Sequence, residues 1–474
     1  MPSRPLAMKS ILAGLLAFGL LVHAAPADVP TENKTVQQPG ILQLPLVPIA
    51  RKSRRVEPPI LLDTAEEEET ANTTVKKRQV EGKLYPDLTQ IYYAVALSIG
   101  TPPQRVLADI DTASSLTWVF DSSGTSRNSV DPDFVFDKLR SQTLVPVGQQ
   151  TTQRYGGGYW FVTANAYMDE IALGRTSASS PLPLLFSNPI SGPVAAALGS
   201  MKFGIAAQQD SNMDRPLVGL AFPHDSERPD FILDRMVDRG VINSRAFSVY
   251  ISDQRIRTGS ILFGGIDRTM YTGALQRVPM IPSPLSRKGR FTRPTVQMSR
   301  LSILEPTGSG AVIFDKGQGP PSAQFQNPYI TSEGIGFVID TGAPMCYFPP
   351  HILANVLVQF PNAHKNGEHF QVDCSLRHDP RVLKFEFGAH ATIHVPMKDF
   401  VWQSQDQSCW LGATEAPGKT PQLGISFLRS AYVTFDYDNL AVHMAQSVGC
   451  VTGASGLVAI DKGPGAVPAV DGLC

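Results

Sequence analysis

Charge of either sign is scarce in this chain. Only 18% of its 474 residues are charged, and 41 basic side chains face 42 acidic ones. That balance excludes a charge-swollen disordered protein and a basic coat for nucleic acid. The apolar run at the N-terminus, Ile11 to Val22, falls short of the roughly 20 residues that span a bilayer. No Gly-x-Ser-x-Gly elbow and no His-Glu-x-x-His pair occurs, and the nine histidines are scattered, so serine and metal-dependent hydrolysis have little support. Long helical patterns are also missing, which leaves a mainly β protein.

What is present begins with an N-terminus built for export. Arg4 and Lys9 precede the apolar run, and Ala24 and Ala25 follow it. Residues 1–24 therefore read as a secretory signal peptide. Residues 25–78 hold Pro, Thr, a run of acids at Glu66–Glu69 and no sustained periodicity. They read as a propeptide that ends at a dibasic processing site, Lys76-Lys77-Arg78, with a second basic cluster at residues 51–55. Two N-glycosylation sequons, at Asn33 and Asn72, lie in the same segment.

All five cysteines follow residue 340. Export permits disulfides, although spacing does not fix connectivity. Cys374 and Cys409 flank a strand-like stretch and are the first choice for a pair. Cys450 with Cys474 would tie down the C-terminus, and Cys346 would remain as a small buried hydrophobe. The last residues, 451–474, are rich in Gly and small side chains and read as a flexible tail. They carry no hydrophobic block for a lipid-linked anchor.

Between these ends run short β-patterns punctuated by Gly, Pro and Asn, such as YYAVALSIG (92–100), FSVYIS (247–252), GSILFGG (259–265), RVLKFEFG (381–388) and TIHVPM (392–397). Helices are expected only over residues 229–242 and 349–360. His364 and His369 read as solvated loop residues. One pattern occurs twice. An apolar strand ends in Asp111-Thr112-Ala113, and Leu217-Val218-Gly219 follows later. A second apolar strand ends in Asp340-Thr341-Gly342, and Gln422-Leu423-Gly424 follows it. Two similar units that each supply one carboxylate predict a bilobal, pseudo-twofold β fold with a cleft between the lobes. The lobes would cover residues 79–270 and 271–450.

With both Asp-Thr motifs in register with the blocks YAVALSIGTPPQ, GSILFGGIDRTMYTG and LGISFLRSAYVTFDYDNLAVHMA, the chain resembles the pepsin-like aspartic endopeptidases from about Tyr92 to Ala445. The resemblance implies that Asp111 and Asp340 are the catalytic pair, and that Thr112, Ser114, Thr341 and Gly342 support them. It makes QRYGGGYWF a substrate-binding flap with Tyr155, Gly156 and Gly157 at its tip, and Trp118 the partner of Tyr155. No metal and no cofactor is implied. The expected partners are protein or peptide substrates met by a secreted, extracellular monomer without a membrane anchor. Paired carboxyls suit that chemistry, because two acids a few ångströms apart share one proton and so offer a base and an acid together.

Several features depart from the family pattern. Gly157 replaces a polar flap-tip residue, the first lobe lacks the usual disulfide, and three further positions differ near the acids. Ala113 stands where a glycine is usual, Ala343 where most relatives have Thr or Ser, and Ile425 where an acid commonly follows Leu-Gly. The methyl of Ala113 is expected to slow turnover. Loss of a hydroxyl at residue 343 should raise the neighbouring carboxyl's pKa, and loss of an acid at residue 425 should lower it. A catalytically weakened peptide-binding protein on the same fold is the alternative reading.

Overall fold

The computed structural model describes residues 42–50, 91–123, 132–173, 196–210, 213–223, 230–251, 259–286, 289–317, 327–404, 406–416, 420–449 and 456–474. The signal-peptide segment, both basic clusters, both sequons and Cys450 lie outside the described residues.

The duplicated pattern folds into a duplicated strand arrangement. In the first lobe, β2 (Ile91–Ile99) pairs antiparallel with β3 (Gln104–Asp111). β3 then pairs parallel with Leu217–Gly219, bringing Asp111 opposite Gly219. β4 (Trp118–Asp121) returns antiparallel on the other side of that short strand, with Trp118 opposite Leu217. The second lobe repeats the scheme. Strand Gly334–Ile339 runs parallel to Gln422–Leu423, and Cys346–Phe348 returns antiparallel, with Tyr347 opposite Gln422. Each Asp thus ends an apolar strand buried on both faces, which is why neither run alternates polar with apolar.

The glycines after each apolar pair let these layers meet. A Cβ on Gly219 would stand 2.4 Å from the Ser115 carbonyl carbon, and one on Gly424 would stand 2.2 Å from the Ala343 carbonyl oxygen. Both contacts are with backbone, so no side-chain rotation relieves them.

A sheet common to both lobes joins the halves, where Ala246–Ile251 of the first pairs with Ala431–Asp436 of the second. The expected helices are shorter than predicted, Ile232–Asp238 and Pro350–Val358. His364 and His369 lie on a small hairpin, His364–Asn366 with His369–Val372, rather than in a loop.

One strand is added to the sequence reading, and one further expectation is corrected. Residues 25–78 contain a strand, β1 (Leu42–Ala50). Its first half pairs with Gly259–Phe263 and its second half with β2. Among the described residues, neither half pairs on its other side, an edge-like setting of the kind in which strand prolines occur. The C-terminal segment is docked rather than flexible. Leu457–Ala459 pairs with Gly265–Asp267, and Ile460, Ala466 and Val467 pack in an apolar cluster with Tyr271 and Tyr432. Composition marked the small residues there, but the scattered apolar ones find a partner surface. Cys374 and Cys409 are bonded, Cys474 is also disulfide-bonded, and Cys346 is free and buried.

Candidate active site

Two Asp-Thr turns meet back to back at the junction of the lobes. The Thr112 hydroxyl donates to the Ile339 carbonyl (2.7 Å) and the Thr341 hydroxyl to the Ile110 carbonyl (2.9 Å). Each hydroxyl also accepts the other threonine's backbone N–H, at 3.0 and 3.1 Å. All these groups are buried, so the reciprocal bonds form where water does not compete. They tie residues 229 apart in sequence and hold the two carboxyls in a fixed relation.

Asp111 and Asp340 both border one point. A Cβ on Gly342 would stand 3.1 Å from Asp111 Oδ1 and 3.3 Å from Asp340 Oδ1. Each of these oxygens accepts a backbone N–H two residues on, from Ala113 at 2.7 Å and Gly342 at 2.8 Å. The methyl of Ala113 therefore leaves the backbone donor in place. The outer oxygen Asp111 Oδ2 accepts the Ser114 hydroxyl at 2.7 Å.

Burial pushes both carboxyls above the ordinary aspartate range. For Asp340 the charge of Asp111 adds to the burial effect, whereas the Ser114 and Ala113 donors favour the ionised form of Asp111. Burial together with mutual repulsion disfavours two charges at once, so the two carboxyls titrate as one coupled pair.

Over the pair, the hairpin of Val145–Tyr155 and Trp160–Leu173 turns through Gly156–Gly158, with Gly156 and Gly158 at positive φ. Gly157 sits at the centre of that turn. The Trp118 indole N–H donates to the Tyr155 hydroxyl at 3.0 Å. Hydrogen bonds thus tie Thr112, Ser114, Thr341 and Gly342 to the two Asp-Thr turns and Trp118 to Tyr155, while the Cys374–Cys409 disulfide sits in the second lobe on Cys374–His378 and Cys409–Leu411.

Residues 92–447 match the family described as eukaryotic aspartyl protease. The chain belongs to that family. It is 26% identical over 366 residues to Secreted aspartic protease 8 of Candida albicans, covering 75% of each chain. It is 25% identical over 467 residues to Candidapepsin-3 of Candida albicans, covering 93% of this chain and 96% of that one. Among solved structures, the aspartic proteinase from Irpex lacteus superposes with a TM-score of 0.54 at 16% identity, over 76% of this chain and 95% of that one. The last likeness establishes the fold, and the family makes this chain an aspartic protease, a hydrolase of peptide bonds.

Several neighbours of the protease's carboxyl pair were not evident in the sequence. Arg293, from the second lobe, donates Nε to the Ala113 carbonyl at 2.9 Å, and its charge lowers the pKa of both Asp111 and Asp340. Nothing local to residue 293 signals that reach. Replacing it by Met removes the cation and raises both pKa values. The limbs of the pH–rate profile are expected to move to higher pH, measured with a peptide substrate across the acid range. An unmoved profile would show the charge to be screened. Gln422 Nε2 donates to Asp340 Oδ2 at 2.6 Å. Its sequence signal was the amide standing where the first lobe has Leu217. Asp109, two residues before Asp111, forms an ion pair with Arg215, and an acid within an apolar strand was the visible clue.

Proposed function

We propose that the chain is a secreted, catalytically competent endopeptidase that cuts extended polypeptides beside bulky apolar residues, with Asp111 and Asp340 performing the chemistry. The observation that carries this reading is the matched polar support of the two carboxyls. Each has one oxygen on a backbone N–H and the other on a side-chain donor. Ionised Asp111 takes a proton from a water whose oxygen attacks the scissile carbonyl carbon, while protonated Asp340 gives its proton to the carbonyl oxygen. The tetrahedral adduct then collapses. Its C–N bond breaks, the amine leaves with the proton held by Asp111, and one hydroxyl of the adduct returns its proton to Asp340 as the carboxyl product forms. Tyr155, Gly156 and Gly157 close over the substrate, and Trp118 steadies the tyrosine.

In this reading residues 1–24 direct export, residues 25–78 are removed after Arg78, residues 79–270 and 271–450 form the two lobes, and the enzyme acts as a monomer without a cofactor. The test is hydrolysis of a denatured protein from acid to neutral pH, with and without pepstatin. Pepstatin-sensitive cleavage is expected. Inertness at every pH alongside retained pepstatin binding would favour a peptide-binding role.

A further inference from the structure

The two carboxyls are related by an internal pseudo-twofold, and that relation fails at one bond. In the first lobe the hydroxyl three residues after the acid, on Ser114, donates to Asp111 Oδ2. The corresponding residue in the second lobe is Ala343, buried and with no polar atom in its side chain. Asp340 Oδ2 nevertheless has a side-chain donor, the amide of Gln422 at 2.6 Å. That amide comes from the neighbouring strand, where Gln422 pairs with Val338 and lies across from Tyr347. Its mate in the first lobe, Leu217, packs in an apolar cluster with Trp118 and Val162. The donor has therefore moved from the turn to the adjacent strand in one lobe only.

We propose that Gln422 is the positioning residue of the second carboxyl, supplying from the strand the hydrogen bond that the Asp-Thr-Gly turn cannot. This rests on Asp340 acting as proposed above. The chemical consequence follows from the kind of donor. A hydroxyl can donate or accept, whereas an amide NH2 group only donates. Asp340 Oδ2 is accordingly held as an acceptor. The proton shared by the pair is confined to the inner oxygens, where it faces the substrate carbonyl. Besides Asp111, the ionisable groups around Asp340 are Arg293 ahead of strand Thr295–Met298 and Tyr347 on strand Cys346–Phe348.

The test compares wild type, Gln422→Leu, Gln422→Glu and Gln422→Leu combined with Ala343→Ser. Gln422→Leu is expected to lower kcat by about ten- to a hundredfold, as for loss of a hydrogen bond to the singly charged carboxyl pair, with little change in KM. The limb of the pH profile belonging to Asp340 should move to higher pH. Returning a hydroxyl to the turn in the double variant should recover both kcat and profile. Gln422→Glu, nearly the same size, places a like charge beside Asp340 and should move the limb upward even if the leucine variant folds poorly. NMR of labelled aspartate follows the same titration without requiring turnover. An unmoved Asp340 titration in Gln422→Leu and Gln422→Glu overturns the role of Gln422. Absence of hydrolysis in the wild type would instead overturn the endopeptidase reading.

Discussion

Asp111→Asn is expected to lower kcat/KM by about a thousandfold or more while leaving the folded protein intact. An amide cannot accept the proton of the attacking water, and positioned proton transfer of this kind contributes roughly 10²–10⁴-fold. The side chain keeps its volume, so the Thr112 and Thr341 bonds between the lobes survive. Stability should move the other way. Because burial raises the folded-state pKa of Asp111, its contribution to stability is full below the unfolded pKa and is lost as pH rises through the folded one. A neutral amide escapes that loss, so the variant should melt at or above the wild-type temperature near neutral pH. Hydrolysis of a denatured protein and thermal melts on the same preparations check both halves. Wild-type activity in the variant would remove Asp111 from the mechanism.

Arg215→Met is expected to cost about 3–5 kcal/mol at neutral pH, the usual penalty for stranding one member of a buried ion pair. Arg215 Nε lies 2.7 Å from Asp109 Oδ2, with side-chain exposures of 8% and 2%, and the guanidinium sits 3.4 Å above the Tyr92 ring. Asp109 pairs with Leu217 two register steps before the Asp111–Gly219 pair, so a disturbance there reaches the active turn. Burial lifts the Asp109 pKa from 3.8 to about 6 against the pull of Arg215. A carboxyl raised in this way contributes stability that is present below 3.8 and lost as pH rises through about 6. Removing the guanidinium lifts the pKa further. The deficit of Arg215→Met should therefore be greatest at neutral pH and shrink in acid, where Asp109 is protonated. Asp109→Leu combined with Arg215→Met should recover most of the loss. Chemical denaturation at neutral and mildly acid pH measures this, and a deficit below about 1 kcal/mol at neutral pH would show that the pair behaves like a surface ion pair.

The carboxyl pair was legible because its signal is local and repeated. An apolar run, an acid, a threonine and a small residue recur within each half, and each companion glycine sits where backbone packs on backbone. The three-glycine hairpin at residues 153–161 was marked by resemblance to the family rather than by its own periodicity. The C-terminal segment was misread because small residues resemble a linker until Ile460 and Val467 meet a surface, here Tyr271 and Tyr432. β1 was missed because its prolines break the usual strand pattern, and their tolerance depends on which side of the strand is paired.

Residue order alone specified many of the strands, their breaks and the two acids, since periodicity, turn chemistry and side-chain volume act over a few neighbours. The electrostatic setting of those acids was settled only on folding. Gln422 reaches Asp340 across 82 positions, Arg293 reaches Ala113 across 180, and Arg215 approaches Asp109 through the pairing of β3 with Leu217–Gly219. Strand pairing and register choose such partners, and both are properties of the whole chain's closure rather than of any short segment.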